Sequence, residues 1–107
     1  MPFKKYERKA LEEVKKILED RYALLDFRIF GSNARGEDTS ESDIDVMIEL
    51  PEITPEIEGE IDRIIFDINL KNDCLITAVF FSRKELEEGP LDQSPLYKAI
   101  EREGIVI

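Results

Sequence analysis

Residues 24–48, LLDFRIFGSNARGEDTSESDIDVMI, contain two β-prone apolar runs separated by a polar stretch. In the first run, Leu24–Phe30, alternating side chains place Phe27 and Ile29 on one face of an extended chain, which predicts a strand. The second run, Ile44–Leu50, is apolar almost throughout and predicts another strand. The first strand ends abruptly at Gly31, so the connection between the two strands is expected to begin with a tight turn.

Two acidic residues stand at the entrance to the second strand. Asp43 and Asp45 are two residues apart, so in a strand their side chains share a face, with Cα atoms roughly 6 to 7 Å apart. Two ionised carboxylates at that separation repel each other, and a divalent cation removes the conflict. Mg²⁺ takes oxygen ligands and is usually held by one or two carboxylates plus substrate phosphates. Asp43 and Asp45 are therefore the predicted Mg²⁺ ligands and the predicted catalytic residues.

The turn after the first strand has the composition of an anion site. Gly31 can adopt backbone angles that other residues avoid, and Ser32 is a favoured helix N-cap. Free N–H groups at the start of a helical turn bind anions such as phosphate. Gly31 and Ser32 are therefore predicted to contact phosphate. Arg35 is a further candidate for placing phosphates, although it could equally pair with the nearby acids.

Neither motif is specific by itself. A Gly-Ser pair occurs in many ordinary turns, and the acidic residues before the second strand could form a solvated loop. The complete order of strand, Gly-Ser turn, polar loop and Asp-x-Asp before a strand is far more restrictive. A calcium loop of the EF-hand type does not fit, because its central Gly and terminal bidentate Glu are missing at the required spacing.

The remaining elements predict a single small domain covering residues 1–107, of the α/β (α+β) class. Its mixed sheet of about 3 to 4 strands is packed by helices. The predicted elements are a helix over Tyr6–Asp20, a helix from Pro55 to about Leu70, a buried central strand over Leu75–Phe81, a short helix opened by Ser82, and a helix from Ser94 to Glu103 that Gly104 ends.

The composition excludes several kinds of chemistry. The chain has no His, which removes His-based triads and His general bases, and its single Cys cannot form an intrachain disulfide. With 15 basic and 25 acidic residues, the net charge of −10 disfavours direct nucleic-acid binding and anionic membranes. No apolar run approaches the length that spans a bilayer, and no signal peptide is evident, so the expected location is the cytoplasm. The composition leaves a homo-oligomer open.

The segment from Gly31 to Gly36, followed by Ser42-Asp43-Ile44-Asp45, resembles the signature of the nucleotidyltransferases of the DNA polymerase beta superfamily. The chain looks most like the minimal nucleotidyltransferases, or MNT domains, and the resemblance covers nearly its whole length. It implies a polymerase-beta-like fold in which Gly31 and Ser32 hold a nucleoside triphosphate, with ATP as the expected substrate. By the same resemblance Asp43 and Asp45 hold Mg²⁺ and direct transfer of a nucleoside monophosphate to an acceptor hydroxyl.

The resemblance also implies a partner. MNT proteins commonly pair with a small helical HEPN protein, and some transfer AMP to a tyrosine of that partner and so neutralise its RNase activity. One hypothesis for this chain is therefore an adenylyltransferase that acts on a HEPN-type toxin. The alternative is an antitoxin-like module that binds nucleotide but neutralises its partner by occlusion, with little or no catalysis.

One departure from the family pattern supports that alternative. The superfamily commonly carries a third carboxylate on the later strand, and in this chain the corresponding place falls near Val79, with Thr77 on the same strand face. Neither residue is acidic. Asp73, just before that strand, and Asp67, on the preceding helix, are the acids that could substitute. Without one of them, transfer would depend on positioning and metal charge alone.

Overall fold

Four helices and four strands make up the part of the protein that the computed structural model describes, namely residues 4–31, 43–89 and 94–106. In chain order the elements are α1 (Lys5–Tyr22), β1 (Asp26–Phe30), β2 (Ile44–Leu50), α2 (Pro55–Asn72), β3 (Ile76–Ser82), α3 (Arg83–Glu88), α4 (Pro95–Glu103) and β4 (Ile105–Val106). The predicted α+β class is confirmed. Among these described residues, no helix is long and apolar enough to cross a membrane.

The strands form one mixed sheet in the order β3-β2-β1-β4. Strand β1 is antiparallel to both β2 and β4, whereas β2 and β3 are parallel and are connected through α2. A parallel pair requires such a crossover, because the chain must return to the edge of the sheet from which it started. Strand β2 therefore has a neighbour on each side and lies in the interior of the sheet.

Helices cover both faces of the sheet. On one face, Ile44, Val46 and Ile48 of β2 pack into the main core with side chains of α1 and α2. On the other face, Met47 packs with residues of β3, α3 and α4. The main core is completed by Ala10, Leu11, Val14, Leu18, Phe27, Ile29, Leu50, Ile61, Ile65, Ile68 and Ile76. Burial on both faces explains why β2 is apolar almost throughout.

Two strands differ from the prediction. Strand β3 is an edge strand and not a central one. Its side chains are apolar on both faces because helices cover both faces of the sheet. An edge strand covered in this way has the same apolar pattern as a central strand. Strand β4 was not predicted; after Gly104 ends α4, Ile105 pairs with Ile29 at the far edge of the sheet.

Side-chain caps fix the starts of the later helices. Ser82 accepts a hydrogen bond from the backbone N–H of Glu85 at 3.2 Å, and Ser94 accepts one from that of Tyr97 at 3.4 Å. Both caps were predicted from the sequence. Thr54 caps α2 in the same way, and α2 ends at Asn72, followed by the C-cap residue Asp73, which has a left-handed φ of 52°. Because Ser82 is both the last residue of β3 and the N-cap of α3, the short helix follows the strand directly. It covers the face of the sheet that carries Met47.

Candidate active site

The directions of three strands bring their ends together at one corner of the sheet. Phe30, the last residue of β1, stands opposite Asp45 near the start of β2, because these strands are antiparallel. Asp45 in turn stands opposite Thr77 near the start of β3, because these strands are parallel. The turn that leaves β1 and the acidic residues that enter β2 therefore meet at this corner.

Asp45 is the centre of the corner. It is only partly exposed, and its side chain lies on the second face of the sheet, since Ile44 and Val46 on either side of it are buried in the main core. Its Oδ1 accepts a hydrogen bond of 2.8 Å from the hydroxyl of Thr77. This bond holds the carboxylate in one orientation and leaves Oδ2 on the side of Gly31.

Gly31 adopts a conformation that only glycine takes readily. Its φ is +78°, in the region where a side chain would be strained. A β-carbon at this position would also lie 2.7 Å from Oδ2 of Asp45, closer than any real contact of that kind. The turn therefore needs glycine for two independent reasons, and the backbone can approach the carboxylate only because no side chain intervenes.

Asp43 lies one residue before β2 and is exposed. The backbone N–H of Ile44 donates to the carbonyl of Leu75 at 2.8 Å, so β2 pairs with the chain entering β3 from its first residue. Because Ile44 points into the core, Asp43 belongs to the same side of the strand as Asp45. The predicted pairing of the two aspartates on one face is consistent with this placement, and their catalytic role stays a prediction.

Two of the predicted phosphate contacts cannot be placed in the same way. Ser32 and Arg35 lie in residues 32–42, outside the described part of the chain. Their roles as phosphate ligands remain predictions from the sequence. What the structure does place is the residue before them, Gly31, directly beside Asp45.

The donor set suits a metal that a substrate helps to hold. Within residues 4–31, 43–89 and 94–106, no group of three or more acidic or Cys side chains is close enough to bind an ion unaided. Two carboxylates, one of them oriented by a hydrogen bond, match the way Mg²⁺ binds, with waters and phosphates supplying its other ligands. Asp43 and Asp45 therefore fit a divalent metal that arrives with a nucleotide.

The residue of β3 directly opposite Asp45 carries a hydroxyl and not a carboxylate. Thr77, and not Val79, is the residue of β3 directly opposite Asp45, whereas Val79 pairs with Met47 one step further along the strand. The two acids considered as substitutes are not part of the corner. Asp67 lines a groove with Arg21 and Tyr22 between α1 and α2, and exposed Asp73 is the C-terminal cap of α2.

A buried acid that the sequence analysis missed lies on the same strand face. Glu49 is 1% exposed. Its Oε2 accepts a hydrogen bond of 2.7 Å from Nε of Arg83 on α3, and Nη2 of the same guanidinium contacts it as well. Its Oε1 accepts one of 3.4 Å from the hydroxyl of Tyr97 on α4. The only signal in the sequence is a Glu that follows the apolar run Val46-Met47-Ile48 inside the strand.

Glu49 holds the two short helices to the sheet. The ring of Tyr97 also packs edge-on against Phe81 of β3, with ring centroids 5.0 Å apart. Burial, followed by the nearby charge of Glu49, raises the pKa of the Tyr97 hydroxyl above its ordinary value. The hydrogen bond from Arg83 to Glu49 likewise raises the pKa of the guanidinium.

The mixed sheet joins a glycine turn to an Asp-x-Asp strand, the arrangement expected of a nucleotidyltransferase, and comparison with known proteins agrees. Residues 11–107 match the nucleotidyltransferase domain family, and the chain belongs to that family. The predicted enzyme class, a nucleotidyltransferase, is confirmed by this match.

Two curated relatives come from Methanocaldococcus jannaschii. The protein named "Putative protein adenylyltransferase MJ0128" is 34% identical over 83 residues, which cover 73% of this chain and 85% of that protein. "Putative protein adenylyltransferase MJ1379" is 51% identical over 45 residues, which cover 42% of this chain and 45% of that protein. The second alignment spans less than half of either chain.

A solved structure supports the fold. The chain described as "Structure of putative minimal nucleotidyltransferase" superposes with a TM-score of 0.66 at 22% sequence identity, covering 94% of this chain and 91% of that one. At this level of identity the likeness concerns the fold alone. It confirms the predicted minimal nucleotidyltransferase architecture.

Proposed function

We propose that this protein is a Mg²⁺-dependent adenylyltransferase that moves AMP from ATP to a hydroxyl of a partner protein. The observation that carries the proposal is the corner in which Gly31 approaches Oδ2 of Asp45 while Thr77 orients the same carboxylate. The names of the curated relatives support AMP as the transferred group and a protein as the acceptor. The resemblance to MNT domains supports a small helical HEPN-type protein as that partner.

The residues of the corner have different proposed roles. Asp43 and Asp45 would hold Mg²⁺, which when bound neutralises phosphate charge and polarises the phosphorus centre. Gly31 brings the backbone beside Asp45 without a side chain, and Ser32 and Arg35 would contact the phosphates. Because these groups fix the nucleotide on the corner, the acceptor oxygen meets the α-phosphorus already aligned.

The transfer step balances as a single displacement. The acceptor hydroxyl oxygen forms a bond to the α-phosphorus, the bond from that phosphorus to the bridging oxygen of the β-phosphate breaks, and pyrophosphate leaves. The hydroxyl proton goes to water, since Thr77 occupies the place where a carboxylate base would stand and itself donates to Asp45. We therefore infer a slow enzyme that depends on positioning and electrostatics.

The same hydroxyl favours a second function. With no acid at Thr77, the chain could retain nucleotide and act as a binding module that neutralises its partner by occlusion. The two functions differ in one respect only, which is whether a covalent AMP appears on the partner.

Labelled ATP distinguishes them. The chain and the protein encoded beside it are incubated with Mg²⁺ and ATP labelled in the α-phosphate, and label on the partner is measured. The test variant is the pair Asp43→Asn and Asp45→Asn. The matched control is Asp20→Asn with Glu88→Gln, which removes the same charge from exposed positions of α1 and α3.

We expect the wild-type chain and the control to label the partner, and the Asp43/Asp45 variant to lose labelling by at least about a hundredfold. Equal labelling by that variant and the wild type would refute the enzymatic proposal. Absence of label together with inhibition of the partner would establish the binding module instead.

A further inference from the structure

The outer edge of β3 presents main-chain groups to solvent. Because Ile44 donates its N–H to the carbonyl of Leu75, alternate peptide groups of β3, those of Thr77 and Val79, face β2. The peptide groups of Ile76, Ala78 and Phe80 therefore point away from the sheet. An edge of this kind is a template for pairing with another extended chain.

A side chain closes the first part of that edge. The amide of Asn69 on α2 donates to the carbonyl of Ile76 at 3.1 Å and accepts from its N–H at 2.9 Å. Asn69 thus takes the place of a neighbouring strand for one residue. At Ala78 and Phe80, none of the hydrogen bonds among the described residues reaches the outward groups. The edge is closed at Ile76 and open beyond it.

An apolar groove runs beside the open edge. It has a volume of about 280 Å³, and its walls come from α2 and from Ile76, Thr77 and Ala78 of β3. Phe66 of α2 lines it and is 60% exposed, an unusual degree of exposure for a Phe side chain. Leu70, one helical turn later on the same side of α2, is 69% exposed. Groove and edge form one continuous surface.

The groove leads into the candidate active site. Thr77 lines it, and the hydroxyl of Thr77 is the group that orients Asp45. An extended chain on this edge would therefore pass within reach of the carboxylate corner. Asp62 on the groove wall and the net charge of −10 favour a basic chain.

We propose that the open edge of β3 at Ala78 and Phe80 binds an extended, basic segment of the acceptor protein as an added strand, with an apolar side chain of that segment on Phe66. That the acceptor is a protein follows from the proposed function, on which this inference rests. The mode of docking is argued from the edge and the groove. Main-chain hydrogen bonds supply the affinity in such complexes, and the flanking pocket supplies the selectivity.

A peptide of alternating Lys and Val around a single Tyr serves as the probe, since main-chain recognition tolerates a generic sequence. Amide hydrogen exchange of the protein is followed residue by residue with and without saturating peptide. We expect exchange at Ala78 and Phe80 to slow by about tenfold or more. The same peptide with its alternate backbone nitrogens methylated cannot complete the ladder and should give no protection.

Phe66→Ser tests the groove, and Leu25→Ser is its matched control because Leu25 is 45% exposed and lines a separate groove with Val106. We expect peptide affinity to fall at least about fivefold in the first variant and to stay unchanged in the second. Thermal stabilisation by Mg²⁺ and ATP is measured on the same samples and should persist in both.

The outcomes separate this inference from the proposed function. Unchanged exchange at Ala78 and Phe80 with saturating peptide would overturn the docking proposal, whatever the nucleotide does. Protection at these residues that rises with protein concentration alone would also overturn it, in favour of a second copy of the chain. If Mg²⁺ and ATP did not raise the Tm of the wild type, the proposed function would be overturned, and the docking result would be unaffected.

Discussion

The Thr77 hydroxyl donates to Oδ1 of Asp45 at 2.8 Å, between the second pair of residues in the parallel register of β2 and β3. This contact uses one carboxylate oxygen for orientation and leaves the other beside Gly31. An acid at position 77 would change this relationship, because its carboxylate would repel that of Asp45 instead of donating to it. The identity of residue 77 therefore sets both the orientation of Asp45 and the charge of the corner.

Substitution at Thr77 should change the metal dependence of stability. In Thr77→Val the carboxylate loses its donor, so we expect weaker stabilisation by Mg²⁺ and ATP together. In Thr77→Asp the added charge repels Asp45, and we expect a lower Tm without metal but a larger increase on adding Mg²⁺. Thermal unfolding over a Mg²⁺ titration measures both effects.

Thr77→Ser is the control for these two variants, since it keeps the donor and should behave like the wild type. If Thr77→Asp responded to Mg²⁺ no more strongly than wild type, residue 77 would not be facing the metal position.

Gly31→Ala should destabilise the fold and disable the corner. The left-handed φ alone costs an alanine about 1–2 kcal/mol, and the β-carbon would displace the Asp45 carboxylate that it meets at 2.7 Å. Urea unfolding measures the first effect, and stabilisation by Mg²⁺ and ATP measures the second.

Gly59→Ala is the opposite case and serves as the control. Gly59 lies inside α2, and a β-carbon there would meet nothing within 4 Å. Alanine at a helix interior position of this kind should stabilise the protein by about 0.5–1 kcal/mol. Destabilisation by both glycine substitutions would contradict the special role of Gly31.

The buried carboxylate of Glu49 should make Arg83→Met more harmful than a double substitution. Removing Arg83 alone leaves a charge that is 1% exposed with only the 3.4 Å bond from Tyr97. Glu49→Leu with Arg83→Met removes the charge as well, so we expect it to unfold at higher urea than the single variant, by on the order of 1 M.

Arg102→Met provides the baseline for that comparison, because Arg102 pairs with Glu103 at an exposed site and should leave the urea midpoint nearly unchanged. A single Arg83→Met variant as stable as Arg102→Met would show that Glu49 does not need its partner.

Stability should fall at alkaline pH through Tyr97. Burial, Glu49 and Glu101 raise the pKa of Tyr97 in the folded state, while Arg83 lowers it by a smaller amount. A raised pKa means that the folded state favours the protonated phenol. This contribution is complete below the unfolded pKa of about 10 and is lost as the pH rises through the folded value. Tyr97→Phe should flatten the pH dependence of the urea midpoint in that range.

A Tyr22→Phe variant is measured in the same experiment, since burial and the hydrogen bond to Glu60 also raise the pKa of Tyr22. Tyr22→Phe should remove a separate part of the alkaline slope. A slope unaffected by either substitution would assign the loss of stability to other groups.

Local chemistry made much of the fold predictable. The periodicity of Leu11, Val14 and Leu18 predicted α1, and these side chains are buried in the main core. The capping residues Ser82 and Ser94 predicted the starts of the last two helices, because such caps depend only on neighbouring residues. The glycine at the end of β1 was predicted as a special position, and its φ of +78° agrees.

Properties set by pairing between distant strands were not predictable. The register that places Thr77 opposite Asp45 joins residues 32 apart in sequence, and no local pattern determines it. The edge position of β3 was missed because burial by helices on both faces makes an edge strand as apolar as a central one. Glu49 was missed because its partners, Arg83 and Tyr97, are brought to it only by the packing of α3 and α4.

Helix α2 connects β2 and β3 but contributes none of the residues placed in the carboxylate corner. The carboxylate corner is built from strand ends, whereas Phe66 and Asn69, which shape the edge of β3, belong to the helix. Substitutions on the outer side of α2 can therefore accumulate without moving Asp45. If the edge of β3 binds the acceptor as proposed, substitutions on this one helix would change which acceptor is bound and leave the carboxylate corner unchanged.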